Sequence, residues 1–268
     1  MVPYSNAGRS LIEFLVTLLI GLAPVACGLL VLALQVDRKQ EETIAVTANE
    51  AIYAIDRVIE TLHESSTQAL KFTGNPCDDI LPELRKEVIK QPNVRSMALE
   101  KDHRVFCSTL YGSTDYMIDE GSDVNERLRV AAGNRATPNS AILRYRKQTS
   151  PYAVVAVADL RVLQAELLGF QNAVVLSLQF GTQYIWATGH GDASRVPNQA
   201  QNSLKLTSEQ FGYTVHAGYP EGQTWRAMRQ AMNSTFPSLL LVGIMTSAAG
   251  YWGLYRRAKG RQTQKHAR

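Results

Sequence analysis

Two stretches of the chain lack charge altogether. Phe14–Leu34 is a run of 21 residues, FLVTLLIGLAPVACGLLVLAL, and Phe236–Tyr255 is a run of 20, FPSLLLVGIMTSAAGYWGLY. A helix rises about 1.5 Å per residue, so either run predicts a helix roughly 30 Å long, matching the apolar thickness of a bilayer. Pro24 is tolerable in such a helix as a mild kink. Between the runs the pattern becomes amphipathic. After Gln35 the chain continues without Gly or Pro to Phe72, and Ile44, Ala48, Ala51, Ile55, Ile59 and Leu62 recur at three- and four-residue steps. That stripe predicts a long helix continuing directly from the first apolar run. A second helix is expected over Asp78–Gln91, with Leu81, Leu84, Val88 and Ile89 on one side. Cys77 is expected in the loop before it, after Gly74-Asn75-Pro76.

From Val94 the period falls to two. VRSMALEKDHRVFCSTLYG reads as strand, charged turn, strand, and Ala141–Lys147 with Tyr152–Ala158 as another pair across Gln148–Pro151. Leu160–Phe170 reads as helix, Val174–Phe180, Gln183–Ala187 and Tyr213–Tyr219 as strands, and Glu221–Ser234 as a helix entering the second run. The class expected is α+β: one mixed, mainly antiparallel sheet with a long N-terminal helix, flanked by two membrane helices. Residues 35–235 show no repeat or low-complexity linker and are long enough for one substantial domain.

Charge sharpens this picture. The formal net charge is +4, but Arg256–Arg268 alone holds six Lys/Arg and no acid, residues 1–13 sum to zero, and the rest of the chain is −2. The basic pI belongs to the tail, which excludes a basic nucleic-acid-binding domain, a disordered chain and a fully soluble protein. Tyr251, Trp252 and Tyr255 sit where an interfacial aromatic belt would, next to the basic tail, and Lys/Arg-rich flanks mark the cytoplasmic side. The expected topology is residues 1–13 in the cytoplasm, 14–34 and 236–255 as transmembrane helices, 35–235 exported, and 256–268 a cytoplasmic tail. For a cleaved signal peptide the first run is too long, and Arg9 is a thin basic region. Ala26-Cys27 resembles the end of a lipoprotein site, but Pro24 stands where Leu is wanted, so Cys27 reads as a membrane-embedded thiol. The tail serves as a topology signal and as a patch for anionic lipid.

Of three cysteines, only Cys77 and Cys107 share the exported compartment, where a disulfide is the default outcome. A bridge there closes a loop of about 31 residues and stabilises by roughly 3–4 kcal/mol on the chain-entropy model. From the residues alone it is either a structural staple or a redox switch. The five histidines fall at no metal-ligand spacing; Gly189-His190-Gly191-Asp192 is the only suggestive group, and it reads as a polar turn more readily than as a metal site. No catalytic constellation, nucleotide loop or cofactor signature occurs, so neither an enzyme nor a cofactor is expected. Asn233-Ser234-Thr235 matches a glycosylation sequon by chance placement beside the second run. In that run small residues lie four apart, at Gly243/Ser247, Thr246/Gly250 and Ala249/Gly253, a spacing common where membrane helices dimerise. Gly243, Ser247, Gly250 and Gly253 are accordingly candidates for a homodimer interface.

Asn75-Pro76-Cys77-Asp78, Val94-Arg95-Ser96 and Val105-Phe106-Cys107-Ser108-Thr109-Leu110-Tyr111-Gly112 together resemble the CSS-motif sensor domain. That domain forms the periplasmic part of bacterial cyclic-di-GMP phosphodiesterases, between two membrane helices and ahead of an EAL catalytic domain. The resemblance spans about residues 11–255. It implies inner-membrane placement and a disulfide between Cys77 and Cys107 that restrains output until reduced. It further implies periplasmic thiol-disulfide oxidoreductases and a cyclic-di-GMP enzyme as partners. Two departures stand out. The motif reads Cys107-Ser108-Thr109, with Thr for the second Ser, and after Tyr255 only 13 residues remain, with no Glu-Ala-Leu signature. The expectation is a sensor acting without its own catalytic domain. The alternatives are the N-terminal fragment of a phosphodiesterase, or a ligand-binding sensor with a purely structural disulfide.

Overall fold

A computed structural model describes residues 5–117, 124–125, 127–131, 141–170 and 173–266. Residues 1–4 of the expected N-terminal segment and 267–268 of the expected tail lie outside it. For residues 5–11, Glu13 and 254–266 the backbone alone is described. The chain divides into two compact units, Met1–Glu41 with Gly222–Arg268, and Glu42–Glu221. Helix α1 (Ser5–Ala69) contributes to both.

In the first unit α1 lies antiparallel to α4 (Gln223–His266), and small residues let the two approach closely. The Ser247 hydroxyl donates to the Thr17 carbonyl at 3.1 Å, and the Thr224 hydroxyl donates to Oε1 of Gln40 at 3.0 Å. A Cβ placed on Gly243 would stand 2.9 Å from the carbonyl oxygen of Gly21, and one on Gly28 would collide with Leu239. Outward-facing positions, among them Leu15, Leu19, Leu30, Leu241, Ile244 and Met245, are apolar and exposed. Among the described residues α1 is the one helix long and apolar enough to cross a membrane. Because the Gly21 oxygen is backbone and cannot step aside cheaply, Gly243→Val should separate the helices. An oxidative cross-link between Thr17→Cys and Ser247→Cys, in a Cys27→Ala background, should form in the parent and fail in the variant.

The second unit holds two antiparallel sheets instead of the single mixed one expected, and every strand pair is antiparallel. Sheet A has the order β3-β2-β1-β6-β5-β4, built from β1 (Ser96–Lys101), β2 (Arg104–Ser108), β3 (Gly112–Met117), β4 (Leu128–Ala131), β5 (Ile142–Thr149) and β6 (Tyr152–Asp159). Sheet B has the order β10-β11-β7-β8-β9, built from β7 (Val175–Phe180), β8 (Gln183–Trp186), β9 (Gly189–Gly191), β10 (Gln201–Thr207) and β11 (Thr214–Tyr219). Asp102 and His103 both take positive φ, 49° and 63°, as a two-residue hairpin between β1 and β2 requires. Helix α3 (Leu160–Gly169) starts where the Asp159 carboxylate accepts from the Arg161 amide at 3.0 Å, a side-chain cap.

The stripe Ile44, Ala48, Ala51, Ile55, Ile59 and Leu62 is buried in the chain's own core, where one cluster joins it to inner residues of both sheets, among them Leu143, Val154, Leu178 and Val215. Polar contacts fix the helix against the sheets. The Tyr145 hydroxyl and Nδ1 of His63 lie 2.6 Å apart, and the Tyr213 hydroxyl donates to Asp56 Oδ1 at 2.8 Å and to the Ile52 carbonyl at 3.1 Å. Helix α2 (Cys77–Lys90) begins one residue before the helix expected and includes Cys77, which is its first residue and not part of the preceding loop. Its buried residues are Cys77, Ile80, Leu84 and Glu87, and Leu81 and Val88 also pack on the core, so of the face expected only Ile89, 82% exposed, turns to solvent.

Candidate functional site: the disulfide-linked motif

Cys107 lies on β2 with its side chain turned into the core, and it is bonded to Cys77 at the start of α2, with Cα atoms 5.2 Å apart. Both cysteines are buried, Cys107 completely. Pro76 precedes α2 as its N-cap residue, a position where its missing N–H costs nothing. Gly74 reaches a φ of 89°, which supplies the turn between α1 and α2 that brings Cys77 over the sheet.

The next two motif residues act on different neighbours. The Ser108 hydroxyl accepts from the Leu110 amide at 3.3 Å, bending the chain at the end of β2. The Thr109 hydroxyl accepts from the Met97 amide at 3.0 Å and donates to the Met97 carbonyl at 3.2 Å, and the Thr109 amide donates to the same carbonyl at 2.9 Å. One side chain thereby continues the β1–β2 ladder past the point where the backbone leaves it. The Thr109 carbonyl accepts from Arg85 Nε at 3.1 Å, which returns the contact to α2. The motif is a clasp: sulfur to α2 on one side, hydroxyl to β1 on the other. Threonine keeps the hydroxyl on which that second contact depends. Thr109→Val should cost about 1–2 kcal/mol, since the Met97 amide loses its partner, whereas Thr109→Ser should change little. Thermal unfolding of the full chain in detergent reads the difference.

The other residues singled out in the sequence fall apart from this site. Gly243 and Ser247 face α1 of the same chain, Gly250 lies beside Ile20, and Gly253 has nothing within 4 Å. His190 is on the short strand β9, and among the described residues no group of His, Cys, Asp and Glu could hold a metal. The sequence reading missed Arg85 and Met97, because one is an exposed helix cation and the other acts through its backbone. It also passed over β3, whose polar sequence GSTDYM carries no apolar alternation.

Comparison with known proteins places this arrangement. Residues 40–232 match the CSS motif domain associated with EAL, and the chain belongs to that family. Among curated proteins it is similar to the probable cyclic di-GMP phosphodiesterase PdeD of Escherichia coli (strain K12), 24% identical over 193 residues, covering 67% of this chain and 36% of that one. The chain thus spans about a third of that relative's length. Solved structures that resemble it include the extracellular domain of rpHK1S-Z16, with a TM-score of 0.47 at 12% identity, covering 71% of this chain and 97% of that one. Another is the ligand binding domain of Mlp24 with asparagine, with a TM-score of 0.40 at 11% identity, covering 73% and 98%.

Proposed function

We propose that the chain is a membrane-anchored sensor that modulates cyclic-di-GMP signalling, with residues 35–235 outside the cytoplasm of a bacterial inner membrane. The observation that carries this reading is the family match over residues 40–232, together with the Cys77–Cys107 bridge at the motif. A disulfide in place is what an exported, oxidising compartment supplies. Two membrane spans are supported by the antiparallel packing of α1 and α4 through Gly21, Gly243 and Ser247, with apolar side chains on the outer surfaces. Both ends of the chain then face the cytoplasm, and the basic tail follows the second span. Catalysis belongs to an EAL-type phosphodiesterase, joined beyond Arg268 or separate, and the sensor biases it. Loss of the bridge would release α2 from β2 and shift the core around α1, the helix that leads to the membrane.

Cellular cyclic-di-GMP is the readout. In a strain lacking the gene, restoring the chain should change the cyclic-di-GMP level, and Cys77→Ala with Cys107→Ala should fix the output at one value regardless of periplasmic oxidation. A double variant that falls in abundance but responds normally per molecule would make the bridge a staple. An unchanged nucleotide level on deletion and restoration would sink the signalling reading itself. The reading frame beyond Arg268 decides whether the phosphodiesterase is in the same polypeptide.

A further inference from the structure

On sheet A successive side chains point to opposite faces. The inner set joins the core around α1, but Ile142, Val155 and Val157, with Ala131 against them, form a separate apolar cluster on the outer face. These residues floor a cavity of about 220 Å³ whose wall includes Ser108, Tyr111 and Tyr116. A second cavity of about 540 Å³ adjoins it, and Ala131 and Arg144 line both. Its lining brings Arg129 and Arg144 of sheet A together with Gln183 and His190 of sheet B. Arg129 and Arg144 are direct partners in the β4–β5 register. On the same strand the neighbouring Arg146 is held by the buried Glu100 carboxylate at 2.9 Å.

We propose that the Arg129–Arg144 pair and the apolar cavity beside it form a binding site for a small carboxylate with an apolar body. The guanidiniums take the charged end, in the forked geometry that Arg offers to carboxylates, and Ile142, Val155 and Val157 take the body. The site needs the two arginines to converge, not to be isolated; each also has a contact within the chain. Ser108 lines this cavity while Cys107, one residue earlier, faces α2, so one strand touches both the ligand and the disulfide.

The test is direct binding, measured by calorimetric titration of the full-length chain in detergent, so its outcome is independent of any signalling output. The probes are benzoate, hexanoate and 4-methylpentanoate, compared with 4-methylpentanamide and with sulfate. At least one carboxylate should bind saturably, and the amide and sulfate should bind about tenfold or more weakly, a difference of roughly 1.4 kcal/mol. Arg144→Gln should weaken the carboxylate by a similar factor. Ala131→Leu, which adds bulk at a residue lining both cavities and leaves both arginines in place, should do the same. Proper folding is checked by the intact Cys77–Cys107 bridge in mass spectrometry. Absence of saturable binding by all three carboxylates overturns the proposal. So does equal binding of the amide or of sulfate, or binding that neither variant disturbs.

Discussion

Replacing Cys77 and Cys107 together by alanine is expected to lower the stability of residues 42–221 by roughly 3–4 kcal/mol, the chain-entropy value for a closed loop of this size. The separation of the two cysteines in sequence is 30 residues, and the loop between them includes all of α2 and β1. The stability loss should show as an earlier thermal transition of the full chain in detergent, and as lower abundance in cells. Because both sulfurs are buried, reduction in the folded state has to wait for α2 to move off the sheet. A phosphine reductant should therefore react slowly with the native chain and quickly once urea is added. Rapid reduction of the native chain would contradict a buried clasp and favour an accessible switch. A switch of the proposed kind works through a reductase, or a prior event, that opens α2.

The second large effect is expected at Asp56. Its carboxylate accepts from the Tyr213 hydroxyl at 2.8 Å and from the Ser208 hydroxyl at 2.9 Å, joining α1 to the β10–β11 end of sheet B. Tyr213 is fully buried and stacks on Phe180 with ring centroids 5.2 Å apart. Asp56→Ala removes an acceptor from two hydroxyls at once and should cost about 2–3 kcal/mol, the range for hydrogen bonds to a charged group. Burial, and then the Asp56 charge, push the Tyr213 phenol far above its usual range. Burial also raises Tyr145 and Tyr219. A raised phenol means the folded state holds its proton more tightly than the unfolded chain does. The associated stability is complete below the unfolded tyrosine value of about 10 and declines as pH rises above it. Unfolding midpoints should drop above that pH, and less steeply in Tyr213→Phe, with a remaining slope from Tyr145 and Tyr219. An identical slope in the variant would remove Tyr213 from the account.

The parts of this molecule legible in the sequence are those whose pattern repeats. The stripe from Ile44 to Leu62 was visible because six apolar residues at helical spacing leave little choice of face. The β1–β2 hairpin and the β5–β6 pair were visible for the same reason at period two. Strands β3, β4, β9 and β10 were not, since GSTDYM is polar, LRVA and GHG are too short to show a period, and β10 lies at a sheet edge. Missing β4 hid the Arg129–Arg144 pair, which exists only once Arg129 is placed opposite Arg144. The cysteine pair was legible from compartment alone, but not its geometry. On α2, Leu81, Leu84 and Val88 reach the core as expected, whereas Ile89, five residues beyond Leu84, falls on the solvent side.

The antiparallel run of α1 against α4 has a practical consequence for anyone probing self-association. The first turns of α1 and the last turns of α4 lie at the same end of that helix pair. Split reporters placed one at each terminus would reassemble within a single chain and give signal with no second copy present. Only halves fused to the same terminus of two different copies can report on association.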